Sequence, residues 1–104
     1  MKIISVTELK AQLAAQAVTL IDVRSADELA LAAIAGARHM PMHELPQRLG
    51  ELDPAAPIAV LCHHGVRSEM AGRFLEKNGF ADVASVAGGI DAWSTDVDPG
   101  VPRY

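Results

Sequence analysis

The sequence predicts an α/β fold in which strands and helices alternate around a central sheet, and three observations support it. The apolar pattern switches repeatedly between short continuous runs and helical spacing. Val18-Thr19-Leu20-Ile21 and Ile58-Ala59-Val60-Leu61 are too short for helices and lack polar alternation, as expected of parallel strands buried on both faces. The stretches that follow such runs open with helix-capping spacing, Ser5 with Glu8 and Ser25 with Glu28.

In chain order, Ile3-Ile4 is a short strand. After Ser5, Val6, Leu9 and Leu13 recur at helical intervals through an alanine-rich stretch to Ala15. Val18 to Val23 form a buried strand with Asp22 at its carboxyl end, and Ser25 opens a second helix from Ala26 to about Ala33, stopped by Gly36. Ala37 to Met40 read as a brief strand ended by Pro41. Leu45, Leu49 and Leu52 predict a third helix from His43 to Leu52, with Pro46 tolerated in its first turn. Asp53-Pro54-Ala55-Ala56-Pro57 is a turn, and the pure apolar run behind it is the central strand, which delivers Cys62 to its carboxyl end. A helix from about Arg67 to Lys77 carries Met70, Ala71, Phe74 and Leu75 on one face and ends at Asn78-Gly79. Val83 to Val86 make the last strand, Gly88-Gly89 turn the chain beside the crevice, and Ile90 and Trp93 pack a short final helix before a tail from Asp98. Met40 and Met42 read as adaptable packing residues around Pro41.

At 104 residues, 50% apolar and 21% charged, the chain is expected to be a single domain over 1–104, a size that needs neither disulfides nor a structural metal to hold a core. One cysteine excludes an intrachain disulfide framework and a multi-cysteine zinc site. A formal charge of −4 argues against binding nucleic acid by phosphate neutralisation. The apolar run Ile3 to Val6 is too short for a signal peptide, and no stretch is long enough for a membrane helix. A soluble, cytoplasmic protein with no nucleic-acid or membrane partner, monomeric by default, is therefore expected.

In open parallel sheets the reactive crevice lies outside the carboxyl ends of the strands, where helix N-termini and loop amides converge. Cys62 is placed there. Gly65 can take the positive φ that curls the loop, and the next helix follows directly, so the amides of His63, His64, Gly65, Val66, Arg67 and Ser68 are expected to face one concavity. Such a nest favours thiolate over thiol, the form a cysteine nucleophile needs, and Arg67 is the nearby cation. Asp22, near the crevice by strand position, reads as a support for the site. Arg24 and Glu28, four apart, read as a structural ion pair.

The run Cys62-His63-His64-Gly65-Val66-Arg67-Ser68 resembles the active-site loop of the rhodanese (sulfurtransferase) family, with its Cys-x-x-Gly-x-Arg-Ser spacing. Leu20-Ile21-Asp22-Val23-Arg24 with Glu28 is similar to the family's first signature, Gly36-Ala37 and Pro41 continue it, and Gly88-Gly89-Ile90-Asp91-Ala92-Trp93 resembles its C-terminal motif. The likeness runs in order over essentially the whole chain. It implies a rhodanese-like fold, a central parallel five-stranded sheet with helices on both faces, and transfer of a sulfane sulfur through a persulfide on Cys62. By the same resemblance, loop residues His63 to Ser68 would contact substrate, Arg67 would orient an anionic donor such as thiosulfate, Ser68 would brace the loop, and Asp22 and Arg24 would support it. The acceptor would be cyanide or a thiol, a protein thiol included, and no cofactor is implied. The chain departs from the family's habit in two places: Ala32-Ala33-Ile34 stand where Gly-His-Ile is common, and His39 where Asn is. Both concern the connecting segment and acceptor recognition more than the sulfur-carrying loop.

Three other readings compete with this one. A zinc site of Cys62 with His39, His43, His63 and His64 is disfavoured because adjacent histidines point apart in most backbones, so the expected metal is none. A cysteine-dependent phosphatase shares thiolate, nest and arginine, but such enzymes separate Cys and Arg by five residues, and here only four intervene. A persulfide carrier or interaction module without free turnover would keep the same loop.

Overall fold

The computed structural model describes residues 1–104. The chain runs β1 (Lys2–Ile4), α1 (Val6–Ala14), β2 (Thr19–Asp22), α2 (Ala26–Leu31), β3 (Arg38–His39), two 3₁₀ turns (Leu45–Gln47 and Leu49–Glu51), β4 (Ile58–Leu61), α3 (Val66–Lys77), β5 (Val83–Val86) and α4 (Gly89–Asp96). All five strands form one sheet in the order β1-β5-β4-β2-β3, and every pairing is parallel. Parallel neighbours need crossovers, and these carry the helices to both faces.

Strand alternation divides the interior into two clusters. Leu20, Ala59, Leu61, Ala84 and Val86 meet Val6 and Leu9 of α1 and Ile90 and Trp93 of α4 on one face. Ile21, Ile58, Val60, Cys62 and Val83 meet Ala71 and Leu75 of α3, with Leu45 and Leu52, on the other. All four residues of β4 are buried, as an all-apolar central strand requires. Leu61 pairs with Asp22 and Val60 with Ser85, so three chain segments leave the sheet side by side at its carboxyl edge.

Both capping boxes form. Ser5 Oγ accepts from the Glu8 amide at 3.1 Å and Ser25 Oγ from the Glu28 amide at 3.3 Å, while each glutamate reaches back to its serine N–H. Three expectations need correction. The helix expected over His43–Leu52 is two 3₁₀ turns instead. In an α-helix the Pro46 ring would clash with the carbonyl of Met42, four residues back, and the chain instead closes i→i−3 bonds, Gln47 to Glu44 and Arg48 to Leu45 at 3.1 Å each, then Leu52 to Leu49 at 3.1 Å. Leucine spacing of three and four suits either helix type. α2 stops at Leu31 because Ala32 is extended, where its carbonyl accepts from Arg24 Nη2 at 2.8 Å. β3 shrinks to Arg38–His39, at the sheet edge before Pro41. No helix is long and apolar enough to cross a membrane.

Candidate active site

The loop from Cys62 to Ser68 takes its shape mainly from backbone. Gly65 sits at φ +115°, a conformation L side chains rarely adopt, and caps α3 while its N–H donates to Cys62 Sγ at 3.0 Å. Ser68, one turn into α3, donates to the Gly65 carbonyl at 2.9 Å; its Oγ lies 3.5 Å from Sγ and 2.6 Å from Ser85 Oγ. Ser68 has one hydroxyl proton, so while it serves Gly65 the Ser85 hydroxyl donates to Ser68. Cys62 is free and buried. Of the amides expected to converge on it, Gly65 reaches the sulfur. Those of Val66, Arg67 and Ser68 belong to the first turn of α3, which leaves them without intrahelical acceptors.

The far side of the loop is held by α4. The Ile90 amide donates to the Cys62 carbonyl at 2.9 Å and the Asp91 amide to the His63 carbonyl at 3.2 Å. Such close approach requires glycine before them: a Cβ at Gly89 would overlap the carbonyl oxygens of both Cys62 and His63, and Gly89 itself has φ +58°. The Gly88-Gly89 pair is thus a docking point for the loop as well as a turn.

Around this backbone cradle lies a chain of charges. Arg24, wholly buried, donates to Asp22 through Nε at 3.0 Å and Nη2 at 2.7 Å, and its backbone N–H also bonds Asp22 at 3.1 Å. Burial opposes the guanidinium charge, but Asp22 and Tyr104 outweigh it and hold Arg24 in its charged form. Glu28 takes both terminal nitrogens of Arg67, Nη1 at 2.6 Å and Nη2 at 2.8 Å, a bidentate pair across 39 residues of sequence. The Arg67 bonds, aided against desolvation by Tyr104 and the Ser25 amide, hold the Glu28 carboxyl far below the usual range. The expected Arg24–Glu28 ion pair is therefore replaced by two others. Arg24 precedes the helix cap, so helical i,i+4 geometry does not apply to it, and the capping box turns the Glu28 carboxylate back toward the loop.

His63 lies between two rings, stacked on His64 at 3.8 Å and on Tyr104 at 3.8 Å and 6°. Its Nε2 is buried without a partner. His63, His64 and Asp91 each bring a ligand atom within 4.8 Å of the others. The cluster suits a metal poorly, because imidazoles ligate in the ring plane, whereas these rings are stacked with 27° between them and Asp91 already holds Arg103 at 2.9 Å. A cavity of about 490 Å³ opens beside the loop, lined by Val23, Ser25, His39, Met42, Arg48 and Arg67 among others. His39 bonds the Arg24 carbonyl at 2.7 Å through Nε2.

The structure therefore gathers Cys62, Gly65, Ser68 and Arg67 at one sheet edge, with Asp22 and Arg24 behind them. It turns the Val66 side chain to solvent, 68% exposed, and leaves His64 exposed too. Two participants, Ser85 and Tyr104, were not singled out from sequence, and Glu28 was read with Arg24 rather than Arg67 as its partner. Ser85 could have been found by parity, since its register against Val60 puts it on the Cys62 face. The Glu28 bond to Arg67 and the position of Tyr104 follow no local pattern.

Comparison with known proteins gives concordant likenesses. A profile described as "Rhodanese-like domain" matches residues 5–96. The putative sulfur carrier protein YrkF of Bacillus subtilis is 38% identical over 79 residues, which is 76% of this chain and 43% of that protein. This chain thus spans less than half of that relative. Thiosulfate sulfurtransferase GlpE of Pseudomonas fluorescens is 35% identical over 78 residues, covering 75% of this chain and 72% of that one. The crystal structure of a rhodanese-related protein from Thermoplasma volcanium superposes with a TM-score of 0.87 at 32% identity, covering 100% of both chains.

Proposed function

Since the chain belongs to the rhodanese-like domain family of sulfurtransferases, we propose that it moves a sulfane sulfur from thiosulfate or a similar anionic donor to cyanide or a thiol, through a persulfide on Cys62. The observation that carries this reading is the placement of Cys62 Sγ, 3.0 Å from the Gly65 N–H and at the mouth of the first turn of α3. In the first step the Cys62 thiolate attacks the outer sulfur of thiosulfate. The new S–S bond forms as the old one breaks, and sulfite leaves with the bonding pair. The negative charge passes to the terminal persulfide sulfur, where the free amides of Val66, Arg67 and Ser68 offer hydrogen bonds, as an oxyanion hole does for developing charge. In the second step cyanide or a thiolate attacks that sulfur and the Cys62 thiolate departs. A thiolate serves well in both roles, nucleophile and leaving group.

Arg67 supplies positive charge to the approaching donor, and His63, His64 and Gly65 line the approach with Val66. Ser68 braces the loop, and the Asp22–Arg24 pair fixes the neighbouring segment. The cavity beside Arg67 has room for an organic acceptor, within the usual range of about 300–1,000 Å³ for small-molecule sites. A cytoplasmic setting suits a chain whose single thiol must stay reduced to act.

Mass spectrometry after exposure to thiosulfate tests the reading: wild type gains one sulfur atom, which cyanide removes, and Cys62→Ser gains none. A wild type that stays unmodified contradicts it. A second reading, a persulfide carrier that hands sulfur to a partner protein, is favoured by Val66 and Met70, exposed 68% and 57% on the first turns of α3. Saturable thiosulfate:cyanide turnover selects the enzyme; persulfide formation with negligible turnover selects the carrier. With four residues between Cys62 and Arg67 the loop is too tight for a phosphoryl group, and aryl phosphates are expected to remain unhydrolysed.

A further inference from the structure

Tyr104 lies 76 residues from Glu28 in sequence, yet its hydroxyl donates to Glu28 Oε2 at 2.7 Å and accepts from Arg24 Nη1 at 2.8 Å. Its ring stacks on His63, the residue after the candidate nucleophile. The segment that carries it is anchored on α4: Arg103 pairs with Asp91 at 2.9 Å, and Ser94 Oγ bonds the Val101 carbonyl. The same helix holds the loop carbonyls of Cys62 and His63. We propose that Tyr104 is a positioning residue for anionic sulfur donors: by binding Glu28 it keeps that carboxylate from fully neutralising Arg67, and so maintains a positive field at Cys62.

Glu28 carries one negative charge and Arg67 one positive, and their bidentate pair is close to neutral on its own. Every additional donor to Glu28 draws some of its charge away from Arg67. The Ser25 amide and hydroxyl do so weakly, at 3.3 Å each, and the phenol does so at 2.7 Å. Arg24 polarises the phenol from the other side. Burial first, and then Glu28, push the phenol's ionisation upward, so Tyr104 stays a donor at neutral pH. When a dianionic donor draws Arg67 toward Cys62, Glu28 still has the phenol as a partner. The five groups Asp22, Arg24, Tyr104, Glu28 and Arg67 form one hydrogen-bonded row that ends on the guanidinium of the Cys62 loop.

This inference rests on the reading of Cys62 as the group that meets the donor, and its test does not require sulfur transfer. Alkylation of Cys62 by anionic iodoacetate and by neutral iodoacetamide gives a rate ratio that reports the field at the thiol. Tyr104→Phe keeps the ring and removes the hydroxyl; it is expected to lower the ratio about threefold, less than the full worth of a hydrogen bond to a charged group because the thiol feels the change only through Glu28 and Arg67. Arg67→Gln should lower it further. The double variant should match Arg67→Gln alone, because Tyr104 acts through Arg67. An unchanged ratio in Tyr104→Phe, or independent additive falls in the double variant, would overturn the proposal. Should Cys62 never acquire sulfur from thiosulfate while the ratio still falls as described, the positioning role stands and the sulfur-transfer reading fails.

Discussion

The Cys62 wall of the site and the Arg24–Glu28 wall are held by different forces. On the Cys62 side the contacts are peptide groups and two serine hydroxyls: Gly65 N–H on sulfur, Ile90 and Asp91 amides on loop carbonyls, Ser85 on Ser68. No formal charge enters it apart from a thiolate when one forms. On the opposite side lie two carboxylates, two guanidiniums and a phenol, part of them fully buried. The contrast separates two tasks. On the proposed function, the peptide hydrogen bonds position the sulfur and change little with pH, whereas the ion pairs would set the potential that an incoming anion meets.

Breaking each wall should therefore have a distinct signature. The largest expected effect is on stability, from Asp22→Asn. It leaves the Arg24 guanidinium buried without a counter-charge, and loss of one partner of a buried pair costs about 3–5 kcal/mol, measurable by urea unfolding. Gly89→Ala comes next, attacking the peptide wall where a Cβ meets two loop carbonyls. A cost of about 2–3 kcal/mol is expected, together with loss of sulfur loading, since Cys62 and His63 must move. Ser85→Ala should cost about 1 kcal/mol and slow sulfur loading modestly, because Ser68 loses one partner and keeps Gly65.

The smallest effect is the most diagnostic of the charged wall. Arg67 holds the Glu28 carboxyl far below its ordinary range, so the folded state binds that proton less readily than the unfolded chain. The stability this contributes is complete above the unfolded carboxyl value of about 4.3 and declines as pH falls below it toward the folded value. The difference in unfolding free energy between wild type and Glu28→Gln should accordingly shrink from pH 5 to pH 3. Partial exposure of both partners keeps its size small. For Ser85→Ala the difference should stay flat over the same interval. Equal pH dependence in the two variants would erase the distinction between the walls.

The same division explains what could be read from the sequence. The rhodanese-like fold, with its parallel five-stranded sheet, was legible because β4 is an uninterrupted apolar run, β2 is a short β-branched run that is polar only at Thr19 and its end Asp22, and both capping boxes are local patterns. The Cys62–Ser68 loop was legible for the same reason, since its glycine, arginine and following helix lie within seven residues. Four residues of the charged wall, Asp22, Arg24, Glu28 and Arg67, could be named from the sequence, but their contacts and the part of Tyr104 could not. Glu28 meets Arg67 across 39 residues and Tyr104 meets Arg24 across 80, and no spacing encodes either contact. The Arg24–Glu28 expectation failed by applying helical geometry to a residue that lies before the cap. The His43–Leu52 expectation failed because leucines three and four apart fit a 3₁₀ turn as well, and Pro46 decided between the two.

The central claim is that Cys62 itself accepts the sulfur, and the stoichiometry of sulfite release tests it most directly. Mixed with excess thiosulfate and no acceptor, the wild-type chain should release one sulfite per molecule and stop, and renewed release should follow addition of cyanide. Cys62→Ser should release none. Sulfite release by Cys62→Ser at the wild-type level, or no burst from the wild type, would contradict the account.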